Sequence, residues 1–479
     1  MKVDNFERGI KYGISLYIVL FILYSFVGRI IPVYMFVGES INSYIMIVLA
    51  LLGAMFVFLD FICKRKMFGG QYCWVLYLFI GVMILSSALN IKYGFFDNVK
   101  TIIWTVIQVA LFYSAYRHFD EKDLLKFIGI VFKEISIIWT CAVIYSLKQF
   151  VIMESYAIEI MTNNWKRQGF RDNRLFGIFN DPNYAAVTSV YVIFMLFFLW
   201  RKEDKKCLKV LYAVTCILQG IYIILSGSRT AILAFCCGFF VYLFFSLKNK
   251  YIEKAYWTSV GIRALITGLA VVVIVLAGGA TKQSLPVLPK MYAEHILSVN
   301  ESDEGKVVDE TQVQIAEGVQ SIEKDIFLQR QDLQVESTSN PRLHIWKNYL
   351  QGTKGKYILG TSPRNVEEYM EDKYPEIYEK NRRYETHNGY LSVFVGTGII
   401  GLGIVILYMI LVGKKVCRYL FCKECINNDF VNLFSILVVI LIYTFFFTEL
   451  FFVSNLTTSV FWLLLGAIMY WIDIEDGND

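Results

Sequence analysis

The chain has 479 residues, 56% of them hydrophobic and 18% charged, with 46 Lys and Arg against 41 Asp and Glu and a mean hydropathy of +0.50. Soluble globular chains carry about 45–50% apolar and about 25% charged residues, so this composition excludes an ordinary soluble domain. The formal net charge of +5 is scattered over short loops with no basic stripe, which argues against nucleic acid as a partner.

The apolar residues form long runs between short charged breaks, the pattern of an all-α polytopic membrane protein. The two-residue alternation of a membrane barrel is absent. About twelve spans are predicted, over 13–36, 42–62, 72–90, 101–117, 127–151, 184–200, 208–226, 230–247, 256–278, 388–412, 430–448 and 456–472. The first run has no small-residue cleavage site and is too long for a signal segment, so it is expected to remain as a span. Lys64, Arg65 and Lys66, then Arg201, Lys202, Lys205, Lys206 and Lys209, then Lys248, Lys250 and Lys254, and finally Lys414, Lys415, Arg418 and Lys423 mark one set of loops. Loops 37–41 and 449–455 carry no Lys or Arg. By the positive-inside rule the basic set is cytoplasmic, and so are both termini.

The chain divides into 1–278, with nine spans and an outer loop at 152–183; a large extracytoplasmic loop at 279–387; and 388–479, with three spans and a short acidic tail. The outer loop holds Lys166, Arg167, Arg171 and Arg174 on the face that the rule disfavours. In the large loop, eleven Asp and Glu stand against three Lys and Arg between Glu294 and Glu336, which predicts a solvated, loosely packed helical flap. Loops of this length are usually functional. No internal repeat is evident, although secondary transporters commonly carry one. None of the ten cysteines lies in the two outer segments, so no disulfide is expected. Cys417, Cys422 and Cys425 lack a fourth neighbouring ligand for an iron–sulfur cluster.

Ionisable residues at a membrane boundary are candidates for function because charge is costly there. In "IILSGSRTAILAF", Ser228 and Arg229 open a helix at the outer boundary. Helix N–H groups and a guanidinium fork together suit a phosphate, while a snorkelling arginine would look the same in sequence. In "NPRLHIWKNYL", Arg342, His344, Trp346 and Lys347 predict a short helix after Pro341 lying on the membrane surface. In "ETHNGYLSVFVGTGIIGLG", Thr386, His387 and Asn388 open a span. His387 is expected in the first helical turn, where the dipole disfavours imidazolium and leaves a neutral ring able to accept a proton. Glu449, in "FFFTELFFVSN", is a carboxylate at an outer helix end, expected to pair with an arginine. No metal-binding motif and no glycine-rich nucleotide loop is present, so neither metal nor cofactor is expected.

"FGIFNDPNYAA", "LSGSRTAILA", "PRLHIWKNYLQG" and "THNGYLSVFVGTGIIGLG", in this order, resemble the bacterial O-antigen ligase and O-antigen polymerase superfamily, the Wzy-type polysaccharide polymerases. The resemblance runs from about residue 165 to the C-terminus. It departs in "ILGTSPRN", where Ser362 replaces the second glycine of a Gly-x-Gly. The resemblance implies a GT-C-like membrane glycosyltransferase of the bacterial cytoplasmic membrane, with an extracytoplasmic site. Its donor and acceptor would be polyprenyl-diphosphate-linked oligosaccharides, used without metal and with inversion. Carried onto this chain, His387 is the base, and Arg229 and Arg342, with Arg174 as a third cation, hold the diphosphate. Ser228, Asn388, Asn183 and Glu449 support them. Chain-length regulators and flippases are possible partners. A polymerase is the first reading, a ligase moving the finished glycan to a final acceptor the second, and a flippase of the same lipid-linked glycan the third.

Overall fold

A computed structural model of the chain describes residues 2–63, 66–161, 164–251, 253–301, 310–321, 341–381 and 385–476. In chain order the helices are α1 (Lys2–Ser25), α2 (Ile31–Val37), α3 (Glu39–Cys63), α4 (Cys73–Leu89), α5 (Phe95–Ile107), α6 (Glu121–Val151), α7 (Pro182–Lys202), α8 (Lys206–Ser226) and α9 (Arg229–Ser246). They continue as α10 (Tyr256–Ser284), α11 (Val287–Glu301), α12 (Glu310–Ser321), α13 (Pro341–Gly352), α14 (Val366–Lys373), α15 (Pro375–Asn381), α16 (Gly389–Cys422), α17 (Asn428–Phe446) and α18 (Leu456–Asp476). Among the described residues eleven helices are long and apolar enough to cross a membrane, and α4, at 17 residues, is a shorter apolar helix. The protein is therefore a polytopic helical membrane protein, and each of the twelve expected runs meets a helix.

α7 and α18 are the most buried of these helices, while α3 and α10 expose most of their apolar surface. The bundle thus has a packed centre and a rim suited to hydrocarbon. Asp120, Asp181, Ser228, Asn388 and Asn427 cap α6, α7, α9, α16 and α17 with side-chain acceptors, as polar residues before apolar runs should.

Two local departures from the sequence reading matter for the site. The first expected span, 13–36, is interrupted: α1 ends at Ser25, a turn follows, and α2 restarts with Pro32 in its first turn. Proline cannot donate to the preceding turn and is tolerated only near a helix start. The interruption puts Arg29 in a turn. The outer loop at 152–183 also contains a three-stranded antiparallel sheet, β1 (Ser155–Met161), β2 (Asn164–Arg171) and β3 (Arg174–Gly177). Asp172 and Asn173, both at positive φ, make the two-residue turn between β2 and β3. The sheet packs on the end of α6, where the Phe150 and Phe170 rings meet edge-on at 5.1 Å.

Of the acidic half of the large loop, α11 and α12 are described, whereas 302–309 and 322–340 lie outside the described residues. The basic half forms α13, α14 and α15. The segment between α13 and α14 is stitched to a break in α16. Gly398 is non-helical there, at φ 69°. Thr361 N–H donates to Val395 O at 2.9 Å, Ser362 N–H to Gly396 O at 3.1 Å, and Ile399 N–H to Tyr357 O at 2.7 Å. From α4, Ser86 Oγ donates to Gly396 O, and just past it Asn90 Nδ2 donates to Gly360 O. A Cβ at Gly398 would overlap the Ile358 carbonyl, and one at Gly360 would overlap Gly396. Ser362, the residue that departs from Gly-x-Gly, adopts φ 125° and so carries the backbone strain a glycine would avoid.

Gly398→Ala is therefore expected to lower the thermal unfolding midpoint in detergent by several degrees. Gly403→Ala, at a helical position with open space around it, should leave the midpoint within a degree or raise it. Equal midpoints for the two variants would contradict the clasp.

Candidate active site

Where α14, the turn before α16, the 447–455 segment and the turn after α1 converge, they enclose a cavity of 710 Å³. His387 and Glu449 line it, together with Arg29, Lys166, Asp181, Arg364, Glu367 and Glu385. The mixture is polar, charged and partly cationic, in contrast to the hydrocarbon-like surfaces around it.

Several hydrogen bonds hold the His387 turn. Trp346 Nε1 of α13 donates to Thr386 O at 3.0 Å, and Thr386 Oγ1 lies 3.0 Å from Thr448 Oγ1. Asn388 Oδ1 accepts from Leu391 N–H at 2.9 Å, closing the first turn of α16. His387 thus precedes the cap and stands outside the first helical turn, a correction to its expected place. Its backbone is left-handed, at φ 46°, which is unusual for a residue with a Cβ and is a form of strain found at functional sites. Burial holds its imidazole below the ordinary 6.5, and the Arg342 charge acts in the same direction against Glu385 and Asp181. The expected direction stands, but the main cause is desolvation. Arg342 does not line the cavity but lies over the Phe446 and Phe447 rings at 5.4 and 5.2 Å, and the His387 ring meets Phe447 edge-on at 6.3 Å. Arg342 and His387 thus both contact the Phe447 ring.

Opposite them is a buried ion pair. Arg29 Nη2 donates to Glu449 Oε1 at 3.0 Å, the Asn455 amide donates to the same carboxylate, and the guanidinium lies 3.4 Å from the Tyr184 ring centre. Glu449 does pair with an arginine, and that arginine is Arg29. Burial pushes the Glu449 carboxyl up, while Arg29 and Asn455 pull it back toward the charged form. Burial also raises Glu367, with Glu385 adding to the effect.

The other residues named from the sequence lie elsewhere. Arg174 is buried, donating from Nε to Ser226 O at 2.8 Å and from Nη2 to Asn183 Oδ1 at 2.9 Å. It ties β3 to the ends of α8 and α7, and neither it nor Asn183 lines the cavity. Ser228 is buried and accepts from Ala231 N–H as the cap of α9. Arg229 is exposed at the first position of α9 and does not line the cavity. The sequence did not point to Arg29, Arg364 and Glu367, and it marked Lys166 only as a disfavoured outer-loop cation. Arg29 had a signal, a cation inside an apolar run just ahead of Pro32, and Arg364 lies within the quoted "ILGTSPRN". Among the described residues no group of three or more His, Cys, Asp and Glu is arranged to hold a metal ion.

These features define a multi-pass membrane protein with a charged cavity where its loops meet the spanning helices. Residues 214–406, from within α8 into α16, match the family model described as O-Antigen ligase. The match takes in Arg229, Arg342 and His387, omits Arg29, Lys166 and Glu449, and covers less than half of the chain. It supports a membrane enzyme of O-antigen or polysaccharide assembly. No curated protein and no solved structure matches the chain.

Two stability outcomes follow from this geometry. Arg29→Met or Glu449→Leu alone leaves a buried charge uncompensated and is expected to cost about 3–5 kcal/mol. The double variant should recover much of that loss in a thermal or denaturant melt, and additive losses would contradict a coupled pair. His387→Gly should be about 1 kcal/mol more stable than His387→Ala, because glycine relieves the positive φ.

Proposed function

We propose that the chain is a glycosyltransferase that polymerises polyprenyl-diphosphate-linked oligosaccharide repeat units on the outer face of the bacterial cytoplasmic membrane. The observation that carries this reading is a half-buried imidazole, biased toward its neutral form, in a 710 Å³ cavity that also presents Lys166 and Arg364. The basic loops on the opposite ends of the helices support an extracytoplasmic site and cytoplasmic termini.

The chemistry follows from the two reacting groups. An acceptor sugar hydroxyl is a weak nucleophile until its proton is taken, and neutral His387 takes it. The hydroxyl oxygen bonds to the anomeric carbon of the donor as the bond from that carbon to the diphosphate oxygen breaks, inverting the centre. The diphosphate leaves with the electron pair, and Lys166, which lines the cavity, offsets its developing charge at low local dielectric. Arg29 is occupied by Glu449 and serves chiefly to fix the 449–455 segment. The helices α13 and α14, which contribute Tyr349, Val366 and Glu367 to the cavity wall, limit the water that would otherwise hydrolyse the donor. The match of residues 214–406 to the O-antigen ligase family model favours a second reading, a ligase that delivers a finished glycan to a final acceptor.

The test is purified protein with a defined lipid-linked repeat unit, followed by analysis of product length. A ladder of products supports the polymerase, transfer only to an added final acceptor supports the ligase, and no transfer to either overturns both. In cells, loss of a flippase would leave single units inside, whereas His387→Ala should leave them outside. His387→Ala and His387→Gln are expected to abolish transfer in folded, inserted protein. Because protonation removes the base, the rate should fall on acidification with its midpoint below 6.5, and a midpoint above 6.5 would contradict the burial effect. Lys166→Ala should lower kcat about a hundredfold. EDTA should leave the rate unchanged.

A further inference from the structure

A second, smaller cavity of 310 Å³ adjoins the first and shares Arg364, Phe452, Val453 and Asn455 with it. Its other wall comes from α3 and α5 and presents Lys100 and Trp104. The partition between the lobes is anchored from α5 and from the π-helical stretch Gln108–Tyr113 that continues it. Asn98 Oδ1 accepts from Arg364 N–H at 2.8 Å, and the Gln108 amide donates to Val453 O at 3.2 Å. Arg364 is exposed, as is Lys100, which carries no hydrogen bond or ion pair among the described residues. One carboxylate, Asp97, faces the same lobe and accepts from the Asn365 amide at 3.4 Å, so two cations stand against one partnered anion.

The surroundings of this lobe indicate how a ligand reaches it. Beside Lys100 on α5, Phe96 is 84% exposed and Val99 and Ile103 are exposed, while α3 exposes Tyr44, Ile47 and Val48. Apolar side chains turned outward on spanning helices face hydrocarbon. The lobe thus has cations within and an apolar flank outside, which suits an anionic headgroup arriving sideways on a lipid. A cation at this end of the bundle is also disfavoured by the positive-inside rule unless something anionic meets it.

We propose that Lys100 and Arg364 hold the diphosphate of a second polyprenyl-linked glycan, the acceptor, while the donor diphosphate occupies the larger lobe. The inference rests on the polymerase reading, in which both substrates are lipid-linked, and deepens it by giving the acceptor's diphosphate its own lobe and its own residues. The acceptor keeps its own diphosphate. Its free terminal hydroxyl arches into the larger lobe, gives its proton to His387 and bonds to the donor's anomeric carbon, and the donor's diphosphate departs.

The test uses the full chain in nanodiscs of neutral phospholipid. The donor is a lipid-linked repeat unit whose own terminal hydroxyl is blocked. The acceptor is the same glycan attached either to polyprenyl diphosphate or to a neutral lipid anchor, so that both reside in the bilayer. Wild type is expected to show a KM about tenfold lower for the diphosphate-linked acceptor, the scale of one or two charge-assisted contacts. Lys100→Gln should bring the ratio of the two KM values close to one, and Lys100→Arg should restore it. Equal KM values in wild type, or a ratio untouched by Lys100→Gln, would overturn the inference while leaving transfer itself established. Transfer to neither acceptor would overturn the glycosyltransferase reading and this inference with it. If phosphatidylglycerol competes with the diphosphate-linked acceptor as strongly as an unreactive polyprenyl diphosphate does, the lobe is an ordinary anionic-lipid contact and the assignment fails.

Discussion

The arrangement depends most on the main-chain clasp between residues 357–362 and the break in α16. A helix interrupted within a bilayer protein frees N–H and C=O groups that lipid cannot satisfy. Here they are taken by the backbone of the loop and by Ser86 of α4, while Asn90, just past α4, donates to the loop carbonyl of Gly360. Only glycine permits the approach at Gly360 and Gly398, which is why the entry to this span reads "VGTGIIGLG". One end of the clasp leads within a few residues to Arg364, and the other runs up α16 to the His387 turn. The same contact therefore fixes the partition between the two lobes and the height of the imidazole beside them.

The electrostatics follow from that placement. The cavity gathers Arg29, Lys166 and Arg364 with Asp181, Glu367, Glu385 and Glu449, and such a set persists near a membrane only if its members are paired or wet. Arg29 and Glu449 are paired, the carboxylate buried and the guanidinium largely so, and they brace the 449–455 segment through Asn455. Lys166 is half-buried and Arg364 exposed, on segments that reach into the cavity from different directions. His387 sits between these regimes. Burial, more than any single neighbour, biases its ring toward the neutral form, while Glu385 and Asp181 pull toward imidazolium. The balance of these effects sets the ring below the ordinary imidazole value, the direction that the proposed base role requires.

The legible part of the sequence was what local chemistry dictates. Twelve apolar runs became helices, Asn388 became a cap, "PRLHIWKNYLQG" became α13, and Glu449 found an arginine. Long-range convergence was not legible. Arg174 and Arg229 sit in conspicuous motifs, yet Arg174 is committed to Ser226 and Asn183, and Arg229 opens a helix away from the cavity. Arg29 was hidden because a helix break at Pro32 looks, in hydropathy, like the middle of a span. The sheet at 155–177 was hidden because its strands are short and mixed in polarity. Its clearest marker, the Asp172–Asn173 turn, is only two residues long. The low pKa of His387 was anticipated from a helix dipole, but the residue precedes the cap and its desolvation does that work instead.

A lipid-linked glycan asks a protein to hold a polar chain, a charged diphosphate and an apolar tail within a few ångströms of one another. Phe451 and Phe452 line both the charged cavity and an apolar cavity of 230 Å³ bounded by Tyr408, Val412 and Trp462. The two environments therefore meet at a pair of aromatic rings, one of them stacked on Phe79 of α4 at 6.1 Å. Such a boundary suits the junction of an amphiphile better than a purely polar or purely apolar site would. It also explains why the strained elements, His387 at φ 46°, Ser362 at φ 125° and Leu450 at φ 78°, gather around this junction. Turning the chain sharply between two solvents leaves little room for relaxed backbone, and the clasp and the buried ion pair supply the rigidity that keeps those turns in place.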